Sequence, residues 1–74
     1  MKVVINPETN RMLIVSNAEF IGECKRKKYK GLTLVQFPAF GDVGTWIVNM
    51  DYEEFMAWFL SDELSIKSIT TNIN

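Results

Sequence analysis

Three strand-forming stretches of this chain do not alternate. Val3-Val4-Ile5, Met12-Leu13-Ile14-Val15 and Trp46-Ile47-Val48 are apolar at every position. Successive side chains on a strand point to opposite faces, so a strand with one wet face reads apolar, polar, apolar. Here Val3 and Ile5 share a face while Val4 takes the other. Met12 and Ile14 are opposed by Leu13 and Val15, and Trp46 and Val48 by Ile47. Both faces of these strands need cover, and only one short segment has the periodicity of a helix. Either the sheet curls so that its far side closes on itself, or a second chain covers it.

Size sharpens the problem. The chain has 74 residues, and 47% of them are hydrophobic with a formal net charge of -1. That balance excludes disorder, which needs few apolar residues and a large net charge. A chain this small buries about 60% of the surface it exposes unfolded. The apolar share of that burial gives on the order of 115 kcal/mol. Ordering the backbone and side chains costs about 110 kcal/mol. The single cysteine allows no internal disulfide to widen the margin. The core is therefore expected to be well packed, or a partner subunit to add burial.

The chain reads as one domain over residues 1–74. A hairpin comes first, with strands Lys2 to Asn6 and Arg11 to Ser16 around Pro7-Glu8-Thr9-Asn10. Proline presets the turn, and Asn10 tolerates a positive φ. Ala18 to Lys25 reads as a third strand, with Gly22 marking a bulge or a close approach. Leu32 to Phe37 and Thr45 to Met50 read as the fourth and fifth, separated by the Gly41-Asp42-Val43-Gly44 loop. Asp51 then opens a helix, with Glu54 at capping-box spacing. Tyr52, Phe55, Met56, Phe59 and Leu60 form its apolar stripe, and Trp58 lies at the stripe edge. Leu64 to Thr70 alternates weakly enough to be a sixth strand, and Thr71 to Asn74 reads as a frayed end. The connections are short, so neighbouring strands are expected to pair antiparallel. The fold class is α+β: an antiparallel sheet of five or six short strands, strongly curled, with one amphipathic helix from the C-terminal half on one face.

Absences bound the chemistry. There is no histidine, and one cysteine cannot supply a structural zinc site. Ser16, Ser61, Ser65 and Ser68 lack a histidine base, and Cys24 reads as a small buried residue despite Lys25 and Arg26 beside it. The glycine loop lacks the Lys-Ser/Thr of a phosphate loop. No enzyme activity, metal or cofactor is expected. The apolar run at the start is too short for a signal-peptide core, and no stretch approaches a membrane span. A lone thiol suits a reducing cytoplasm.

Charge is segregated. Lys25, Arg26, Lys27, Lys28 and Lys30 are five of the eight cations, with Tyr29 among them. The other three cations face nine carboxylates, so the rest of the chain carries -6. Like charges this close repel, which places the run on a solvated hairpin tip. Such a tip contacts phosphates, with Tyr29 stacking on a base, or meets an acidic protein surface; a turn is also polar for no functional reason. The overall acidity, with a pI near 5.3, counts against a dedicated nucleic-acid binder. Asp51, Glu53, Glu54, Asp62 and Glu63 bracket the helix. They suit a basic partner, although capping and dipole complementation account for the first three. Most aromatics belong to the core, and Phe40 and Trp58 are the two expected to serve as exposed binding anchors.

In size and lack of catalytic groups the chain resembles the small inhibitors and regulators made by phages and mobile elements. That likeness is one of size and element order and carries no residues across. The expected function is a non-enzymatic protein-binding module, with a homodimer through the sheet as a further partner mode. The alternative is a nucleic-acid-binding module using residues 25–30.

Overall fold

In a computed structural model, which describes residues 1–38 and 44–72, the chain is a small α+β fold with one helix and two sheets. Strands β1 (Val3–Ile5), β2 (Met12–Ile14) and β6 (Ile66–Ser68) form one sheet, in the order β2-β1-β6. Strands β3 (Phe20–Glu23), β4 (Leu32–Gln36), β5 (Thr45–Asp51) and β7 (Thr71–Asn72) form the other, in that order. Helix α1 spans Tyr52–Phe59 and packs against β4 and β5. No helix among the described residues is long and apolar enough to cross a membrane.

The expected hairpin forms as its turn residues dictate. Asn10 has φ 60°, and its N–H donates to the Asn6 carbonyl at 2.8 Å. The Asn6 N–H returns a bond to the Arg11 carbonyl at 2.8 Å. The pairing of β3, β4 and β5 is an antiparallel meander, also as expected from short connections.

Two expectations about the sheet are corrected. There are two sheets, because β2 ends at Ile14 and the chain turns through a 3₁₀ turn at Val15–Asn17 before β3 begins at Phe20. Not every neighbour is antiparallel: β1 pairs β6 in parallel, with Val3 opposite Ile66 and Ile5 opposite Ser68. These strands are joined by most of the chain, so the rule for short connections does not apply to them. Thr71 and Asn72, expected to belong to a frayed end, form strand β7 instead. They pair with Val48 and Ile47 of β5.

One core lies between the sheets and the helix. Val4, Leu13 and Val15 meet Val35 and Val48, with Phe55 and Trp58 of α1 and Ile69. Thr33 is buried among these strands and donates its hydroxyl to the Met50 carbonyl at 3.0 Å. The β4–β5 register slips there: Thr33 is opposite Val48, yet Leu32 is opposite Asp51. The bulge lets β5 run straight into α1 beside the start of β4.

The helix buries most of its expected stripe, with the buried face turned from Leu60 toward Trp58. Phe55 and Trp58 are buried, Met56 and Phe59 are half-buried, and Leu60 is exposed. The Phe55 and Trp58 rings meet edge to face, with centroids 5.4 Å apart. The capping box does not form. Asp51 makes no side-chain cap bond, because it is the last residue of β5 and is held in the ladder opposite Leu32.

Candidate binding surface

The basic run is the connection between β3 and β4, and its backbone is fixed. The Cys24 N–H donates to the Leu32 carbonyl at 2.8 Å, and the Gly31 N–H donates back to Cys24 at 3.1 Å. Between them Lys27–Tyr29 forms a 3₁₀ turn, with the Tyr29 N–H donating to Arg26 at 3.0 Å. Gly31 closes the connection at φ 91°, a conformation that L side chains rarely adopt. Cys24 is buried at the root of the turn, as expected of a small apolar residue.

Lys25, Arg26, Lys27, Lys28 and Lys30 are all exposed. The only ion pair among the described residues joins Lys25 to Glu23 at 3.5 Å, within the same hairpin. Both partners are open to water, so the pair adds little stability. Tyr29 differs from its neighbours. It is half-buried, with the Lys28 ammonium 5.6 Å from its ring centroid. It also lines a cleft of about 330 Å³ with Glu8, Leu32, Asn49, Thr70 and Thr71. Tyr29 is thus the one half-buried side chain of the run, while the cations are exposed.

The tip has an acidic neighbour that sequence order did not reveal. The Gly31 carbonyl accepts the backbone N–H of Tyr52 at 3.0 Å, and Leu32 lies opposite Asp51. Asp51, Glu53 and Glu54 are exposed on the first turn of α1. A cationic patch and an anionic patch thus share one end of the molecule. Asp62 and Glu63 are exposed beyond the other end of the helix.

Of the two expected aromatic anchors, Trp58 is corrected. It is only 6% exposed, and its indole N–H donates to the Leu64 carbonyl at 2.8 Å. The Lys2 ammonium sits 5.1 Å from its ring. The chain that follows the helix folds back over Trp58 and removes it from the surface. Phe40 lies outside the described residues.

The exposed apolar residues are elsewhere. Met1, Met12, Leu64 and Ile66 are four of the six large exposed hydrophobic residues described, with Phe20 and Leu60 completing the set. Of these, only Met12 belongs to one of the unalternating stretches. Comparison with known protein families, with curated proteins and with solved structures finds no match for the chain.

Proposed function

We infer that the protein is a non-enzymatic protein-binding module, of the kind of small inhibitor or regulator that docks on a larger protein. The reading rests on the bond between Gly31 and Tyr52, which holds the Lys25–Lys30 turn beside the acidic start of α1. No tip cation is paired with a helix carboxylate among the described residues, so both patches are free to meet a partner. A surface with adjacent positive and negative patches fixes the orientation of a protein partner and speeds its encounter.

Nucleic acid is the second reading, and the five exposed cations favour it. Two observations weigh against it. Asp51, Glu53 and Glu54 repel a backbone that would lie along the tip. Tyr29 is half-buried under Lys28, which leaves its ring poorly placed to stack on a base.

The test is affinity capture with and without nuclease, using wild type, K27E/K28E and E53K/E54K. The expected result is a stoichiometric, nuclease-resistant protein bound by wild type and lost from both variants. Loss of all capture on nuclease treatment overturns the reading in favour of nucleic acid. In that case binding to an oligonucleotide should fall about a hundredfold or more between 50 and 200 mM salt.

A further inference from the structure

We propose that the free edge of β2 takes up an extended segment of a partner protein as an added antiparallel strand, with an apolar residue of that segment opposite Leu13 and an acidic one opposite Arg11. The proposal rests on the protein-binding reading. It names a second surface, on a different sheet from the basic turn, and the form of the segment that surface takes.

The register fixes where the backbone groups of β2 point. The Asn6 N–H donates to the Arg11 carbonyl at 2.8 Å, and the Val15 N–H donates to the Lys2 carbonyl at 2.9 Å. Hydrogen-bonded pairs alternate along an antiparallel ladder, so Val4 and Leu13 bond each other as well. The N–H and C=O groups of Met12 and Ile14 then point away from β1. Among the described residues no strand lies on that outer side, and no backbone group accepts from either N–H. Such a row is a template for another strand, and proteins usually blunt it. Of the other edge strands described, β3 carries Glu23, β6 carries Lys67 at its centre, and β7 is two residues long. β2 is Met-Leu-Ile, without charge, proline or bulge.

A groove of about 320 Å³ runs along this edge, lined by Met12, Leu13, Ile14, Asn17 and Phe37. Neighbouring strand residues point to opposite faces, so three consecutive ones line a single groove only where it follows the edge. Leu13 is buried and Phe37 packs against the core, so the groove reaches the core where the two sheets part. No charged side chain lines it among the described residues.

The occupant follows from these groups. Unpaired backbone donors and acceptors at alternate positions call for an extended backbone, and Leu13 with Phe37 calls for an apolar side chain. Arg11 supplies the charge. It is exposed, has no carboxylate partner among the described residues, and lies 5.3 Å from the Trp46 ring centroid. By alternation Arg11 shares the face of Leu13. In an antiparallel addition the residue opposite Arg11 comes two places after the one opposite Leu13. The recognised segment therefore reads apolar, any residue, acidic.

The test uses the isolated protein and the acetylated, amidated peptide Thr-Thr-Thr-Leu-Thr-Glu-Thr, so its outcome is separate from capture at the charged end. In the free protein the Met12 and Ile14 amides should exchange freely with solvent, while that of Leu13 is protected. With about 1 mM peptide both should shift in amide NMR spectra and exchange about tenfold more slowly or beyond. Methylating the backbone nitrogens of the two threonines beside leucine removes the donors that meet Met12 and Ile14, and should abolish binding. Methylating the leucine nitrogen, which points away, should change affinity less than about threefold. R11E should weaken binding about tenfold or more, and replacing the peptide's glutamate by lysine should restore it. I14P removes one outward donor at a residue whose φ is -85°, and should abolish binding. Should that variant misfold, R11E with the charge-swapped peptide carries the test. Met12 and Ile14 amides already protected in the free protein overturn the proposal. So does a peptide that leaves them unshifted, equal binding of the threonine-methylated peptide, or an R11E variant that binds both peptides alike.

Discussion

The carbonyl oxygen of Gly31 accepts the backbone N–H of Tyr52 at 3.0 Å, and this bond joins the end of the basic turn to the first residue of α1. A helix start leaves backbone N–H groups without partners inside the helix. Side chains usually supply the acceptors. Here the neighbouring hairpin supplies one from its backbone, and in doing so fixes the cationic tip against the anionic turn.

Gly31 and Gly22 should respond to alanine in opposite order to their burial. Gly31 is half-buried with no atom within 4 Å of a built Cβ, yet its φ is 91°. An L side chain there strains the backbone, so G31A should cost about 1–2 kcal/mol. Gly22 is buried, and a Cβ would stand 2.6 Å from Phe20 Cζ. Phe20 is half exposed and its ring can swing outward, so G22A should cost less than about 1 kcal/mol. Urea denaturation of the two variants decides the order. Equal costs would refute the backbone explanation for Gly31.

Asp51→Ala should be nearly silent in stability. A working N-cap loses about 1 kcal/mol on truncation to alanine. The Asp51 side chain makes no such bond, so only its charge near the helix start is lost. The expected change is within about 0.5 kcal/mol by urea denaturation. A loss of about 1 kcal/mol or more would mean that the carboxylate caps the helix in solution.

Trp58→Phe should destabilise the fold by about 1–2 kcal/mol and leave partner capture unchanged. The substitution removes the indole N–H that donates to Leu64 and some buried area beside Phe55. Trp58→Ala should cost about 3–5 kcal/mol, as for other large core aromatics. Capture lost by Trp58→Phe at full folding would restore Trp58 as a binding residue.

The legible parts of this molecule are the local ones. The turn at Asn10, the β3–β4–β5 meander, the helix after β5 and the position of the basic tip follow from residues close in sequence. The parallel pairing of Val3 with Ile66 joins distant segments, and nothing near either residue encodes it. Trp58 reads as a stripe-edge residue because its partner, the Leu64 carbonyl, lies past the end of the helix. The tip's acidic neighbour was hidden for the same reason, since Gly31 and Tyr52 meet only through the β4–β5 ladder. By contrast, the surplus of apolar residues in β1 and β2 was visible at once. It marked strands with two covered faces, since Val3 and Val4, on opposite faces of β1, are both buried.

Asn6 is the polar residue on which the closing of the chain depends. It is only 2% exposed, although it flanks a surface turn. Its Oδ1 accepts the Glu8 N–H at 2.9 Å, which stabilises the turn that follows β1. Its Nδ2 donates to Thr71 Oγ1 at 3.0 Å and to the Thr71 carbonyl at 3.4 Å, which ties β7 of one sheet to the end of β1 in the other. Buried polar groups are costly when left without partners. Asn6→Ala should therefore destabilise by about 2 kcal/mol, and Asn6→Asp at least as much, because a carboxylate keeps the turn bond but cannot donate to Thr71. Thr71→Val removes one shared bond and should cost about 1 kcal/mol. The two sites act on the same contact, so the N6A/T71V double variant should lose less than the sum of the single losses by about 0.5 kcal/mol or more. A double-mutant cycle by urea denaturation measures this coupling. Additive losses would mean that the two residues stabilise their sheets separately, and that Asn6 does not join them.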